Sequence, residues 1–291
     1  MSVVDVGLVG AGPWATLVHA PMLAAGPSTR LAGVWARRPE AAVTLAGTHG
    51  VAAFERYEDL LGSCQAVAFA VPPGVQADMA VTAARAGRSV LLEKPIAADL
   101  DGAQRLVDAV DEASVASQVV LSWRYAPAVR VFLEEVEGFG AIGGRGSFLS
   151  GALLGGMFAT PWRLERGPLL DLGPHVIDLL DAALGTVVGV RAHGELNGWV
   201  GLLLDHENGT SSEVSLCATT AVQPQVASVE VFGRSGVLGV NCATAVDASA
   251  FGLMVDEFAL TVRRGGGHPL DVHRGLHLQT LICAAEAQLL A

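Results

Sequence analysis

A single lysine stands among the basic residues of this sequence. Of its 18 lysines and arginines, every one except Lys94 is arginine. An ammonium group is compact and can lose its proton on burial, whereas a guanidinium group always stays charged. Lys94 follows an apolar run in the segment Glu93-Lys94-Pro95, where Pro95 restricts its backbone to extended geometry. Survival of one lysine by chance is the alternative, but this setting favours a functional role for Lys94.

A glycine-rich segment near the N-terminus fits the pattern G-x-G-x-x-G/A between a strand and a helix. Gly10 permits a tight turn, and Gly12 lets the backbone approach a pyrophosphate. Pro13 suits a first helical turn, and the small Ala15 allows close packing of helix on sheet. A chance glycine turn is the alternative, but the context predicts a dinucleotide site formed by Gly10, Gly12, Pro13, Trp14 and Ala15.

The end of the second predicted strand bears on the choice between NAD and NADP. An NAD site usually has Asp or Glu there to bind the ribose hydroxyls. This sequence has Ala36, Arg37 and Arg38 at that point and no acidic residue before Glu40. Either arginine could pair with a 2′-phosphate, so the sequence favours NADP(H) over NAD(H). Two solvated arginines at a helix start are the alternative.

A histidine and an aspartate lie four residues apart at the start of a predicted helix in the second half of the chain. In a helix, Asp171 and His175 would share one face. Imidazole is the side chain best suited to proton transfer near neutral pH. The spacing therefore makes both residues catalytic candidates, while a helix cap and an ordinary polar residue are the alternative.

The candidate residues lie in two parts of the chain with different patterns of predicted strands and helices. Together the two parts predict an α/β protein. Residues 1–122 alternate short apolar runs with helical patterns, which is typical of βαβ units on the doubly wound parallel sheet of a Rossmann domain. The predicted strands are Val3–Val9, Leu31–Ala36, Ala66–Val71, Ser89–Leu92 and Val119–Ser122, with helices up to Ala25 and over Ala77–Ala86 and Leu100–Glu112.

Residues 123–291 predict an α+β substrate-binding and oligomerisation domain with an open, mostly antiparallel sheet. Glu207-Asn208-Gly209 predicts a hairpin turn, because Asn-Gly tolerates positive φ. The predicted helices are Ala128–Glu137, Pro174–Leu184 and Asp271 to the end. The predicted strands are Ile142–Leu154, Val187–Leu196, Val200–Asp205, Thr210–Thr219, Ser228–Phe232, Gly236–Val240 and Phe258–Val262.

Composition argues against several classes of protein. The net charge of −11 disfavours nucleic acid as a partner, which needs a basic face. The sequence has no apolar stretch of the roughly 20 residues that span a membrane. Its four cysteines are far apart, which is typical of reduced thiols in a cytoplasmic protein. The histidines show no metal-ligand spacing, since His273 and His277 lack a third ligand, so we expect no metal.

Four segments together resemble one family, the glucose–fructose oxidoreductase/inositol dehydrogenase or Gfo/Idh/MocA family. They are Gly10–Ala15 with the following His19–Leu23, then Val71-Pro72-Pro73, Ala86–Pro95 and Asp171–Asp178. The last two resemble the most diagnostic stretches of the family, and they occur in the family's order about 80 residues apart.

The resemblance implies an NAD(P)-dependent oxidoreductase that passes a hydride between nicotinamide and a hydroxyl or carbonyl carbon of a sugar, cyclitol or similar polyol. Lys94 would bind the substrate oxygen, His175 would exchange its proton, and Asp171 would orient His175 or bind a neighbouring hydroxyl. The implied cofactor site adds Val71, Pro72, Gln76, Glu93 and Lys94. The Lys94-Pro95 bond would be cis, and the protein a homodimer or homotetramer through its C-terminal sheet.

The sequence also departs from the family. Gln76 stands where the family often has His, and Gly167-Pro168 replaces a pair or trio of glycines. The chain is short for the family, which puts the substrate in doubt more than the cofactor. Further substrate candidates are Arg124, Tyr125, Trp162 and Arg163, with ordinary packing as their alternative. A non-catalytic regulatory or scaffold protein of the same fold is the second hypothesis, but a pure sensor would need none of the three catalytic candidates.

Overall fold

A computed structural model describes residues 2–291, which form two compact units. The first unit contains the chain up to Val120 and the later segment Phe251–His277. The second unit contains Leu121–Ala250 and Leu278–Ala291. The chain therefore leaves the first unit, builds most of the second and returns to the first.

The first unit is built on a six-stranded parallel sheet in the order β3-β2-β1-β4-β5-β6. This is the strand order of the Rossmann fold, so the predicted fold of this half is confirmed. β4 and β5 are buried along their whole length, as strands covered by helices on both faces must be. The strands are β1 (Val4–Val9), β2 (Thr29–Trp35), β3 (Ala52–Ala53), β4 (Ala66–Phe69), β5 (Ser89–Leu92) and β6 (Ser117–Val119).

Five helices connect these strands, and two of them were not predicted. They are α1 (Ala20–Ala24), which a π turn (Ala15–His19) precedes, α2 (Pro39–His49), α3 (Tyr57–Gly62), α4 (Pro73–Arg85) and α5 (Leu100–Ala113). The prediction missed α2, β3 and α3. In α2 two of the three buried side chains are alanines, so its apolar face has little contrast with the rest of the helix.

The second unit has a six-stranded sheet in the order β12-β11-β7-β10-β9-β8. Four of the five neighbouring pairs are antiparallel and β7 pairs with β10 in parallel, so the mostly antiparallel sheet is confirmed. The strands are β7 (Ala141–Leu149), β8 (Val187–Gly194), β9 (Val200–His206), β10 (Ser211–Cys217), β11 (Val226–Gly233) and β12 (Gly236–Asn241). The helices of this unit are α6 (Pro127–Val136), after a 3-10 turn (Ser122–Tyr125), and α7 (Pro161–Leu184). Of the last two helices, α8 (Ala248–Arg264) belongs mostly to the first unit, and α9 (Val272–Leu289) begins in the first unit and ends in the second.

Glycines in β7 bring α7 close to this sheet. A Cβ atom on Gly146 would lie 2.4 Å from Cγ1 of Val176, and one on Gly144 would lie 2.9 Å from Leu184. A side chain at either position would push the helix away. The two glycines therefore fix the depth at which α7 presents its residues.

The predicted turn Glu207-Asn208-Gly209 is confirmed between β9 and β10. Gly209 has a φ of +85°, and the N–H of His206 donates to the carbonyl of Thr210 across the turn. Asn208 also accepts from the N–H of Thr210.

The strand predicted at Phe258–Val262 is wrong, because these residues lie in α8. Its large apolar residues, Phe258, Leu260 and Val262, alternate with smaller ones over five positions, as in a strand. Over the full helix the buried positions are Ala250, Met254, Val255, Phe258 and Ala259, which follow helical spacing. Two predicted strand limits were also wrong: β6 ends at Val119, before the 3-10 turn, and β7 ends at Leu149, before an irregular segment.

Segment 251–277 lies in the first unit, although we assigned it to the second domain by sequence. It is joined there to β6: the N–H of Val119 donates to Leu270 and the amide of Gln118 donates to Met254. Gln118 and Met254 are 136 residues apart, and local periodicity gives no indication of a hydrogen bond between such distant residues.

Residues 2–291 contain no helix that is both long and apolar enough to cross a bilayer. In the same range, no three side chains of His, Cys, Asp or Glu are grouped to hold a metal ion.

Candidate active site

Four connections of the parallel sheet emerge at one edge, where its strands have their carboxyl ends. In spatial order they follow β2, β1, β4 and β5, and they begin at Ala36, Gly10, Ala70 and Glu93. The strand order reverses between β1 and β4, and ligands of open α/β sheets bind outside such a reversal. The predicted cofactor residues of the first unit thus follow one another along a line about three strand spacings, or roughly 14 Å, long.

The glycine turn has the backbone that a dinucleotide requires. Gly10 has a φ of +117°, and a Cβ atom there would lie 2.4 Å from the carbonyl oxygen of Ala70. A Cβ atom on Gly12 would meet nothing within 4 Å, so the space above its backbone is open. Ala15 is fully buried. These residues fit a pyrophosphate, which needs close approach to the backbone at the start of the helix.

The end of β2 carries two exposed arginines. The side chains of Arg37 and Arg38 form no hydrogen bond or ion pair with the described residues, so both guanidinium groups are available to a ligand. Behind them the ring of Trp35 lies 5.6 Å from that of Tyr57. Burial raises the pKa of the Tyr57 hydroxyl, which stays protonated and donates to the carbonyl of Met79.

The turn that carries Lys94 is braced from beneath by Gln76. Gln76 is fully buried. Its amide nitrogen donates to the carbonyls of Glu93, Pro95 and Ile96 at 2.7, 3.3 and 3.2 Å, and its amide oxygen accepts from the N–H of Glu93 at 2.9 Å. The Lys94-Pro95 bond is cis, as the resemblance implied. Gln76 therefore shapes the turn with its whole amide group.

Glu93 joins this turn to the glycine turn. Its Oε1 accepts from the indole nitrogen of Trp14 at 2.6 Å and from Nε2 of His19 at 2.7 Å. Phe251, from the segment that returns to the first unit, packs edge-on against Trp14 at 6.5 Å. Sequence reasoning gave no role to His19 or Phe251, because neither partner is near Glu93 in sequence.

In the second unit, α7 carries two of the three predicted catalytic residues, Asp171 and His175, and both are buried. The helix is interrupted at Gly167, whose φ of 66° and ψ of −167° are not helical. Before this kink, Nε of Arg163 lies 3.1 Å from Oδ2 of Asp171. The guanidinium of Arg163 also lies over the ring of Trp162, 4.4 Å from its centre. The structure thus brings the candidates Trp162, Arg163 and Asp171 together.

Two aromatic rings flank His175. The ring of Trp123 stacks on the imidazole at 5.3 Å with an angle of 23° between the planes. The ring of Phe148 lies 6.4 Å from the imidazole. These contacts fix the orientation of the imidazole, and sequence reasoning missed both because Trp123 and Phe148 lie on other elements.

The candidates Arg124 and Tyr125 lie in the 3-10 turn before α6. Nη1 of Arg124 donates to both carboxylate oxygens of Asp178 on α7, each at 3.2 Å. Tyr125 is fully buried, and the guanidinium of Arg130 lies 5.9 Å from the centre of its ring. In the described residues both side chains hold the turn in place against its neighbours.

Comparison with known proteins agrees with this geometry. Residues 4–121 match the model of the Gfo/Idh/MocA oxidoreductases, described as an oxidoreductase family with an NAD-binding Rossmann fold. The N-terminal part of the chain belongs to this family. The predicted recognition is therefore confirmed, and the match includes every cofactor residue predicted in the first unit.

Relatives of this chain include dehydrogenases and reductases of sugars. Levoglucosan dehydrogenase of Pseudarthrobacter phenanthrenivorans is 32% identical over 144 residues, which cover 46% of this chain and 36% of that protein. A solved levoglucosan dehydrogenase in complex with NADH and L-sorbose has a TM-score of 0.90 at 19% identity and covers 100% of this chain and 97% of its own.

A 3-ketoreductase of Actinomadura kijaniata, solved with TDP-benzene and NADP, has a TM-score of 0.83 at 21% identity, with 99% of this chain and 98% of its own covered. Solved members of this fold thus bind either NAD or NADP. At such identities the solved structures show the shared fold. The alignments span only 36% to 58% of the length of the curated relatives.

Proposed function

We propose that this protein is an NAD(P)-dependent dehydrogenase or reductase of a sugar, cyclitol or similar small polyol. The observation that carries the proposal is the line of turns at one sheet edge. Exposed arginines stand at one end, the open glycine turn in the middle and the braced Lys94 turn at the other end. A dinucleotide laid along this edge has its adenosine ribose, pyrophosphate and nicotinamide opposite these three features in turn.

When bound, the cofactor accepts a hydride from the substrate carbon or returns one to it. The ammonium of Lys94 donates a hydrogen bond to the substrate oxygen and stabilises negative charge that develops there. In the oxidative direction the imidazole of His175 takes the proton of the substrate hydroxyl, and in the reductive direction it returns that proton. The ion pair with Arg163 holds Asp171, one helical turn before His175, for a neighbouring hydroxyl.

A panel of substrates tests this function against the second hypothesis, a dinucleotide-binding protein without turnover. The protein is titrated calorimetrically with NADPH and NADH and then assayed with keto-sugars and cyclitols by the absorbance of the reduced nicotinamide. Cofactor-dependent turnover of a polyol or its ketone supports the enzyme. Tight binding of cofactor without turnover across a broad panel favours the regulatory protein, and the absence of any cofactor binding contradicts both.

We further propose that NADP(H) is the preferred cofactor, because the end of β2 offers two exposed guanidinium groups and no carboxylate. The double variant Arg37→Ala/Arg38→Ala should weaken NADPH binding about tenfold or more and leave NADH binding nearly unchanged, since only NADPH has a 2′-phosphate to lose. Calorimetric titration of both cofactors measures the ratio of their dissociation constants. Arg85→Ala is the matched control: its exposed arginine ends α4 at the opposite edge of the sheet. If the double variant has the same ratio of NADPH to NADH dissociation constants as the wild type, the proposal of an NADP preference is wrong.

We also propose a homodimer or homotetramer through the sheet of the second unit. The face of this sheet away from α7 carries a cavity of about 370 Å³ lined by Ile142, Arg145, Leu203 and Phe232 among others, and Ile142 is 64% exposed. Exposed apolar side chains on an uncovered sheet favour association. Replacing Ile142 and Phe232 with aspartate should shift the protein to a monomer in sedimentation velocity. A wild-type protein that sediments as a monomer contradicts the proposal.

A further inference from the structure

A π turn separates the glycine turn from α1. It spans Ala15–His19, and the N–H of Ala20 donates to the carbonyl of Ala15, five residues back. Single π turns inside helices are rare and occur frequently at functional sites. This one begins three residues after Gly12 and ends on a buried histidine.

The π turn changes which residues share a side of the helix. In an α-helix with 3.6 residues per turn, residues five apart point about 140° away from each other. A turn closed by a hydrogen bond over five residues brings such a pair to nearly the same side. Trp14 and His19 are five apart, and their ring nitrogens lie 2.6 and 2.7 Å from the same oxygen of Glu93.

The histidine and the carboxylate are held away from solvent, and Trp14 is half-buried. His19 is fully buried and the side chain of Glu93 is 13% exposed. Because a carboxylate oxygen only accepts, Nε2 of His19 carries the hydrogen that it donates. The other ring nitrogen, Nδ1, is buried and finds no hydrogen-bond partner in residues 2–291, so the pairing with Glu93 is what fixes the imidazole.

The contacts of Glu93 also restrict the next residue, Lys94. Its backbone N–H and carbonyl are both bound to Gln76, while its carboxylate is bound to the π turn. A residue held at backbone and side chain leaves the following residue, Lys94, little freedom in direction. The glycine turn and the Lys94 turn are thereby joined through one carboxylate.

We propose that Trp14 and His19 are positioning residues, which the π turn aligns so that Glu93 sets the Lys94 turn against the nicotinamide end of the cofactor. This inference rests on the proposed function. A simple structural link between two loops is the alternative.

Calorimetric titration with NADPH and NADH distinguishes the two. Trp14→Phe and His19→Phe each remove one donor to the carboxylate, which loosens the glycine turn as well as the Lys94 turn, and each should therefore weaken cofactor binding about tenfold. His19→Gln places an amide N–H near the position of Nε2 and should restore most of the affinity. Leu17→Ala is the matched control, since Leu17 lies in the same turn and is 56% exposed. Thermal unfolding of each variant monitors folding.

A double-mutant cycle tests whether the residues act through Glu93. Trp14→Phe and Glu93→Gln both disrupt the same hydrogen bond between the indole and the carboxylate. The double variant should therefore bind the cofactor little more weakly than whichever single variant binds it less tightly. Strictly additive effects would overturn the inference. So would wild-type cofactor affinity in folded Trp14→Phe and His19→Phe proteins.

The cofactor-free protein gives a separate readout. The indole N–H resonance of Trp14, assigned by its loss in Trp14→Phe, should move upfield in the ¹⁵N spectrum of Glu93→Gln and stay in place in Leu17→Ala. An unmoved resonance would overturn the pairing itself. A wild-type protein that binds neither cofactor would instead defeat the proposed function, while this resonance would still report on the pairing.

Discussion

Replacing Lys94 with alanine should lower kcat about a thousandfold or more, because it removes the charged donor to the oxygen on which negative charge develops. The dissociation constant of the cofactor should change less than about threefold, since in the proposed site the glycine turn and the two arginines after β2, Arg37 and Arg38, supply most of the cofactor contacts. The measurement is steady-state turnover with the substrate found in the panel, beside calorimetric titration of the cofactor. A fully active Lys94→Ala protein would refute the role of this residue.

The matched variant Lys94→Arg separates charge from shape. The planar guanidinium is larger than ammonium and donates in a fixed fork, so we expect turnover to fall about a hundredfold although the charge is kept. Full activity of Lys94→Arg would mean that charge alone matters, and the solitary lysine would then have no chemical explanation.

Replacing Gly167 with alanine should destabilise the protein by about 3 kcal/mol. The backbone there, with a φ of 66° and a ψ of −167°, is in a region that essentially only glycine occupies. A Cβ atom would also lie only 1.9 Å from the carbonyl oxygen of Leu196 in the connection between β8 and β9. Strain and collision therefore add, and one of the two segments must move.

Gly138→Ala is the control for strain alone. Gly138 has a φ of +78°, but a Cβ atom there would meet nothing within 4 Å. We expect a cost of about 1 kcal/mol at this position. Denaturant unfolding compares the two variants, and equal midpoints would contradict the close approach at Gly167. Because the kink at Gly167 precedes Asp171 and His175, kcat should fall in that variant as well.

The parallel Rossmann sheet of the first unit and its cofactor turns could be predicted, because alternating strand and helix patterns mark the sheet and each turn is encoded by adjacent residues. Gly10 and Gly12 specify their turn by themselves, and Lys94 is marked by its type and by Pro95. The environment of these residues could not be predicted. The contacts of Glu93 with His19 and of His175 with Phe148 join distant segments, and nothing in the local sequence of either partner indicates the other.

Prediction from local pattern was also wrong where a short sequence fits both a strand and a helix. The residues Phe258–Val262 satisfy strand alternation over five positions and helical spacing over seventeen, and only the longer window separates the two. The predicted start of α7 was late for a related reason. Pro168 and Pro174 suggest a break, but the kink at Gly167 lets the helix continue on both sides.

The route of the chain has a consequence for synthesis on the ribosome. The cofactor-binding unit needs Phe251–His277, so it stays incomplete until most of the polypeptide has emerged. All strands of the other unit are synthesised before that moment. Until then, Gln118 and Val119 of β6 lack the carbonyl groups of Met254 and Leu270 to which they donate hydrogen bonds in the folded protein. A truncated product that stops after residue 122 would therefore lack those partners and expose apolar surface to aggregation.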